Sequence, residues 1–216
     1  MEAKFLINKI CFILFFFGLL NAQQSQWETI VSQGTTWKYI LPTSQVPNNW
    51  KDFDFNPLSW AEGSTGIGYG DNDDQTVISP TVALFMRKTF EIQDVSLISR
   101  AVLDIDYDDG FVAYINGVEV ARDLFSGDHT SFSMTSDGYH EAQLYSGNVP
   151  ERYFFDKTLL NNGSNVIAIQ VHNQSLSSSD MSALPVISLE LPEGPETYLE
   201  PPDWFVEPSP QPVEIN

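Results

Sequence analysis

The sequence predicts an all-β domain built as a sandwich of two antiparallel sheets, and three observations carry that prediction. From about Gln26 to Leu191 the chain is broken roughly every ten residues by clusters of Gly, Asn, Asp or Pro, and the runs between are short and rich in Val, Ile, Tyr and Phe, the spacing of sandwiches and barrels. Leu103, Ile105 and Tyr107 alternate with Asp104 and Asp106, and Ile167, Ile169 and Val171 alternate with Ala168 and Gln170. Successive side chains of a strand point to opposite faces, so each run offers one face to a core and a more polar face elsewhere. No stretch keeps a helical period beyond a turn or two, the expected short one being Leu159-Leu160 ahead of Asn161-Asn162-Gly163.

Taken from the N-terminus, Lys4 and Lys9 precede an apolar run, Ile10 to Leu20, and then Ala22 and Gln23-Gln24. That layout is a secretory signal peptide, with residues 1–22 removed. The run is about half of the roughly 20 residues that span a bilayer, so no membrane insertion is expected and the mature chain is placed outside the cell, in the periplasm or on the cell surface. The single cysteine, Cys11, lies in that run between Ile10 and Phe12, which do not make a lipoprotein-type cleavage site. The mature domain then has no disulfide and relies on burial, with a bound ion as an added source of stability.

Further along, Asn116-Gly117 between Phe111–Ile115 and Val118-Glu119-Val120 is a two-residue hairpin signal, because a type I′ turn needs positive φ at both central positions. Asp108-Asp109-Gly110 is read as a second reversal, which makes Val102 to Ala121 a three-stranded meander. From Pro192 onward, Pro195, Pro201, Pro202, Pro208, Pro210 and Pro212 fall among acidic residues. Proline cannot donate to a ladder, so residues 192–216 are expected to form a semi-rigid linker or arm outside the core, with Trp204 and Phe205 either docked back or exposed.

The string Asp108-Asp109-Gly110-Phe111-Val112-Ala113-Tyr114-Ile115-Asn116-Gly117-Val118-Glu119-Val120-Ala121-Arg122 resembles the core hairpin of galactose-binding-like modules in large secreted bacterial proteins. The resemblance extends, in order, to Trp37-Lys38-Tyr39, Trp60-Ala61-Glu62-Gly63, Gly68-Tyr69-Gly70-Asp71, Arg87-Lys88-Thr89-Phe90, Gly163-Ser164-Asn165-Val166-Ile167-Ala168 and His172-Asn173-Gln174-Ser175 with Ser178-Ser179-Asp180. It implies a jelly-roll sandwich over residues 23–191. It also implies an accessory domain of the kind attached to CotH-like kinase-fold, lamin-tail, metallophosphoesterase or glycoside hydrolase domains, in a fold shared with carbohydrate-binding modules. A shared fold does not transfer a ligand, so the site is argued from residues.

The net charge of -19 excludes non-specific binding to nucleic acid or to an anionic membrane, which needs clustered Lys and Arg. The sequence holds three histidines, His129, His140 and His172, and no H-E-x-x-H, paired cysteines or G-x-S-x-G, so no enzyme is expected. Gly66-Ile67-Gly68-Tyr69-Gly70 lacks the third spaced glycine, the helix and the Lys of a nucleotide loop. Asp71-Asn72-Asp73-Asp74 offers hard oxygens, so Asp71, Asp73 and Asp74 are the candidate ligands of a structural Ca²⁺, against a solvated loop whose carboxylates bond their own backbone. Asp108 and Asp109 are read first as turn residues and only second as a glycosidase-type pair.

His172 ends the Val166–Val171 strand, and a bond to the Ser177-Ser178-Ser179-Asp180 loop is expected either to pin that loop or to organise a pocket. The expected ligand rim is Tyr69, Asp71, Asp108, Asp109, His172 and Asp180, with Tyr39, Trp50, Trp60 and Tyr69 as candidate stacking surfaces or core anchors. The favoured function is a secreted, non-catalytic module for a polysaccharide or glycan. The alternative is a spacer that contacts a neighbouring domain or a cell-surface protein and has no small ligand.

Overall fold

The computed structural model describes residues 24–209. The expected signal peptide with Cys11, and Pro210 and Pro212, lie outside the described residues. Twelve strands make up the domain: β1 (Ser25–Val31), β2 (Thr36–Ile40), β3 (Ala61–Ser64), β4 (Ile67–Gly68), β5 (Thr76–Val77), β6 (Ala83–Ile92), β7 (Arg100–Asp108), β8 (Gly110–Ile115), β9 (Val118–Asp123), β10 (Glu151–Phe155), β11 (Gly163–His172) and β12 (Ser182–Pro192). A four-stranded sheet, β1-β12-β7-β10, faces a six-stranded sheet, β3-β2-β6-β11-β8-β9, and every pairing within the two is antiparallel. Short β4 and β5 pair in parallel at the side. Helical geometry among the described residues is confined to 3₁₀ turns, one at Lys157–Leu159 beside the expected position. This is the all-β sandwich of two antiparallel sheets that the sequence predicts, consistent with a jelly-roll.

The alternation places the core. Leu103, Ile105 and Tyr107 of β7, Phe111, Ala113 and Ile115 of β8, and Ile167, Ile169 and Val171 of β11 meet between the sheets. Their alternates on the six-stranded sheet, Phe85, Val112, Tyr114 and Ala168, are buried a second time against Trp50, Trp60 and Phe125 from the covering loops. That double burial explains why β8 and the first half of β6, Ala83 to Met86, read as unbroken apolar runs. On the four-stranded sheet the polar alternates are covered too. Asp104 is held by Arg152 at 2.6 and 3.0 Å, and Asp106 accepts from the backbone N–H groups of Gln143 and Leu144 at 2.6 and 3.1 Å.

The Asn116-Gly117 hairpin forms as expected: Ile115 faces Val118 and the two turn residues have φ of 49° and 86°. The three-stranded meander does not. At Asp108 and Asp109 the chain passes from one sheet to the other, so β7 pairs with β12 and β10 while β8 pairs with β11 and β9. Ser182 of β12 lies opposite Asp108, whereas the Asp109 N–H donates to the His172 carbonyl of β11 at 3.3 Å. The corner residues thus bond to different sheets, which a hairpin between β7 and β8 would forbid.

After β12 the chain turns back along the four-stranded sheet. The Glu28 carboxylate accepts from the N–H groups of Thr197 and Tyr198 at 2.9 and 2.7 Å, and Thr29 and Leu199 exchange backbone bonds at 2.7 and 3.2 Å. Phe205 packs on Trp27 at 5.6 Å and under the Arg152 guanidinium at 4.2 Å, while Trp204 reaches Gln33 at 3.2 Å. Of the two outcomes left open for Trp204 and Phe205, docking is the one observed.

Candidate functional site

Three loops and the sheet-crossing corner converge at one end of the sandwich: the β4–β5 loop, the segment carrying Glu141 and Tyr145, the β11–β12 loop, and Asp108-Asp109. Tyr69 and Met181 exchange backbone bonds at 2.9 Å, which ties the first loop to the third. The close approach depends on glycine. A Cβ on Gly68 would lie 2.0 Å from the Met181 carbonyl, and Gly70, at φ 116°, would place one 2.5 Å from the Asp180 Cβ.

The centre is Asp108. It is 3% exposed, its Oδ1 is fully buried without a hydrogen-bond partner, and its carboxylate lies within 4.8 Å of those of Glu141 and Asp180. Burial pushes its carboxyl up to about 8, reinforced by Asp109, Asp180 and Glu141. Burial also raises Glu141, helped by Asp180 and Asp71, and raises Asp71, helped by Asp180 and Asp73. Tyr145, 49% exposed, has its hydroxyl raised by desolvation and then by the charges of Glu141, Asp71, Asp180 and Asp108. The cup therefore offers oxygen acceptors, the complement of hydroxyl donors or a hard cation.

Of the expected rim, Asp71, Asp108 and Asp180 belong to this cup. Asp109 is spent as a brace: its two oxygens accept from the His140 N–H at 3.1 Å and the Gln174 N–H at 2.7 Å. Tyr69 is buried, its hydroxyl accepting from Asn173 Nδ2 at 2.7 Å, so it anchors the cup from below. His172 requires a correction. It is fully buried, stacks on Phe125 at 3.8 Å, and its Nδ1 meets the Met134 carbonyl at 2.9 Å, so it pins the loop after β9 and not the Ser177–Asp180 loop. Burial lowers its pKa to about 4.

The expected Ca²⁺ set of Asp71, Asp73 and Asp74 is also corrected, because among the described residues these three do not bring one carboxylate oxygen each within 4.8 Å of one another. Asp74 turns inward against Gly66 and Gly68, with a buried, unpartnered Oδ1, and burial with Asp73 and Asp71 pushes it up to about 7, while Asp71 and Asp73 stay exposed. The carboxylate trio found among the described residues is Asp108, Glu141 and Asp180. Sequence reasoning missed Glu141 and Tyr145, for which the one available signal was the acid-and-aromatic run Tyr139-His140-Glu141 to Tyr145. Trp50 and Trp60 are buried core anchors and Tyr39 packs half-buried against the core, so none of the expected stacking residues presents a free ring at the cup.

No family model matches the chain, and no curated protein does. Among solved structures it is similar to a β-glucuronidase from glycoside hydrolase family 2, at 16% identity and a TM-score of 0.47 over 77% of this chain and 18% of that one. The β-glucuronidase of an uncultured Clostridium sp. is 15% identical, with a TM-score of 0.49 over 81% of this chain and 30% of that one. A glycosyl hydrolase family 2 member from Bacteroides cellulosilyticus is 12% identical, with a TM-score of 0.48 over 76% and 20%. The chain spans less than a third of the length of each. Fold and site together define a β-sandwich module with an acidic, loop-built cup at one end.

Proposed function

We propose that the chain is a secreted, non-catalytic binding module that takes a hydroxyl-rich ligand, a glycan, at the Asp108 cup with the help of a divalent cation. The observation that carries this reading is the buried, unpartnered oxygen of Asp108 set among the carboxylates of Glu141 and Asp180. A buried acceptor costs about 1–3 kcal/mol when left unmade, so a site that retains one is matched to something that donates or coordinates. Three carboxylates this close repel one another, and an all-oxygen set suits Ca²⁺, whose remaining positions sugar hydroxyls can fill. Asp71 extends the surface. Export is supported by the layout of residues 1–22.

The test is thermal melting and affinity electrophoresis of the mature chain with Ca²⁺ and with EDTA. Ca²⁺ at about 100 times its dissociation constant is expected to stabilise by about 2.7 kcal/mol. Asp180→Asn should abolish that gain together with retardation by the retained polysaccharide. A protein that no polysaccharide retards in Ca²⁺ would be a spacer joining neighbouring domains. Turnover of a chromogenic glycoside, lost in Asp108→Asn, would replace binding with hydrolysis.

A further inference from the structure

We infer that a second binding site, for a carboxylated sugar residue, lies on the outer face of the six-stranded sheet, in the hollow between β2, β6 and the loop of Phe53 to Pro57, with Lys38 as the partner of the carboxylate. The inference rests on the reading of the chain as a glycan-binding module, but it uses none of the residues of the acidic cup.

The hollow measures about 350 Å³, within the range of small-ligand sites. The chain has ten Lys and Arg against 29 Asp and Glu, yet Lys38, Arg87 and Lys88 all line this one place. Lys38 stands directly opposite Arg87 across β2 and β6, and Glu62 stands opposite Lys38 on the edge strand β3. Like charges set opposite each other weaken a sheet unless an anion answers them. Asp52 and Asp54 act on Arg87, and Lys38 is paired with Glu62, 2.9 Å from its ammonium on a side chain 63% exposed. Such an exposed pair contributes little and exchanges readily for another carboxylate.

The other cations are not neutralised by direct ion pairs among the described residues. Arg87, 3% exposed, donates to the carbonyls of Phe55 at 2.8 Å and Asp52 at 3.0 Å and lies over the Phe55 ring. Lys88 donates to the Thr36 carbonyl at 3.0 Å. Burial lowers the pKa of both, as expected of cations held partly dry. Phe53, 52% exposed, lines the same hollow together with the hydroxyl residues Thr36 and Thr89. A cation, a free aromatic face and hydroxyl groups together match a uronate, which carries a carboxylate, an apolar ring face and hydroxyls on one residue.

The experiment is calorimetric titration of the mature chain, in EDTA so that cation bridging at the cup is removed, with a tetramer of galacturonate and with its methyl ester, a neutral shape-mimic. The acid is expected to bind at least about tenfold more tightly than the ester and to weaken with added NaCl. Lys38→Gln should lose about tenfold, Lys38→Arg should retain binding, and Glu62→Gln should strengthen it by removing the competing carboxylate. Asp180→Asn should leave it unchanged. Equal binding of acid and ester, undiminished binding by Lys38→Gln in a variant that melts like the parent, or no binding of galacturonate, glucuronate or mannuronate oligomers would each overturn the inference. Inorganic phosphate bound as tightly as the uronate would overturn the choice of a sugar. Neutral glycans bound in Ca²⁺ and lost on Asp180→Asn, with uronates unbound in EDTA, would leave the cup standing and this site refuted, and the converse pattern would do the reverse.

Discussion

Asp108 at the end of β7 and His172 at the end of β11 are both buried, and burial moves them in opposite senses. The Asp108 carboxyl is pushed up to about 8 and Asp74 to about 7, so between their ordinary range and those values the native state holds protons that the unfolded chain has released. Stability must then fall as pH rises through that window. His172, lowered to about 4, is neutral in the native state where the unfolded chain is protonated, so it contributes a loss as pH falls below about 6.5 and offsets one of the two carboxyls there. In EDTA the melting temperature is therefore expected to drop from about pH 6.5 to about pH 8. Asp108→Asn should make that drop shallower, and His172→Phe should steepen the decline between about pH 4 and pH 6.5 while losing about 1 kcal/mol with the Met134 bond. Ca²⁺ requires the ionised form of Asp108, so its stabilisation should grow across the window in which the bare protein weakens. A melting temperature that rises with pH in EDTA would refute the assignment of Asp108.

At the scale of elements, what could be read in the sequence was whatever a few adjacent residues decide. Asn116-Gly117 demands positive φ twice, and the hairpin follows from that demand alone. Asp108-Asp109-Gly110 turns the chain just as locally, but whether the next strand returns to the same sheet or crosses to the other depends on which partners, β11 or β12, are waiting. The second core was hidden for the same reason, since Phe85, Val112 and Tyr114 need loops that begin at Val46 and end at Phe132 to cover them. The proline-rich segment also reads as an arm by composition and docks by contact. Glu28, 2% exposed, finds its donors in the backbone N–H groups of Thr197 and Tyr198. Ending the chain after Glu193 is therefore expected to cost on the order of 2 kcal/mol, and Phe205→Ala about 1, in urea unfolding. Protease cleavage between Pro195 and Phe205 at the rate of an unfolded peptide would contradict this docking.

For the molecule as a whole, charge was the most legible property and its distribution the least. A net charge of -19 fixes the sign of the surface but not that Glu141 would close on Asp108 and Asp180, or that three of ten basic residues would line one hollow. Sheet pairing brings those residues together from positions far apart in the chain, which no local spacing encodes. The two kinds of acidity should respond differently to ions. Diffuse repulsion over the surface is relieved by any salt, because raising the ionic strength to about 0.15 M shortens the screening length to about 8 Å, so NaCl alone should raise the melting temperature gradually. At the cup Asp108 is buried while Glu141 is exposed, so screening relieves its repulsion only in part and the rest should respond to an ion that coordinates. Ca²⁺ added on top of saturating NaCl should then give a further, saturable rise that Asp180→Asn or Glu141→Gln removes, with Mg²⁺ weaker because it dehydrates reluctantly and demands an octahedron that one strand-end and two loop carboxylates do not impose. If NaCl of matched ionic strength reproduces the whole effect of Ca²⁺, the cup holds no cation, and its carboxylates are left to accept from a ligand directly.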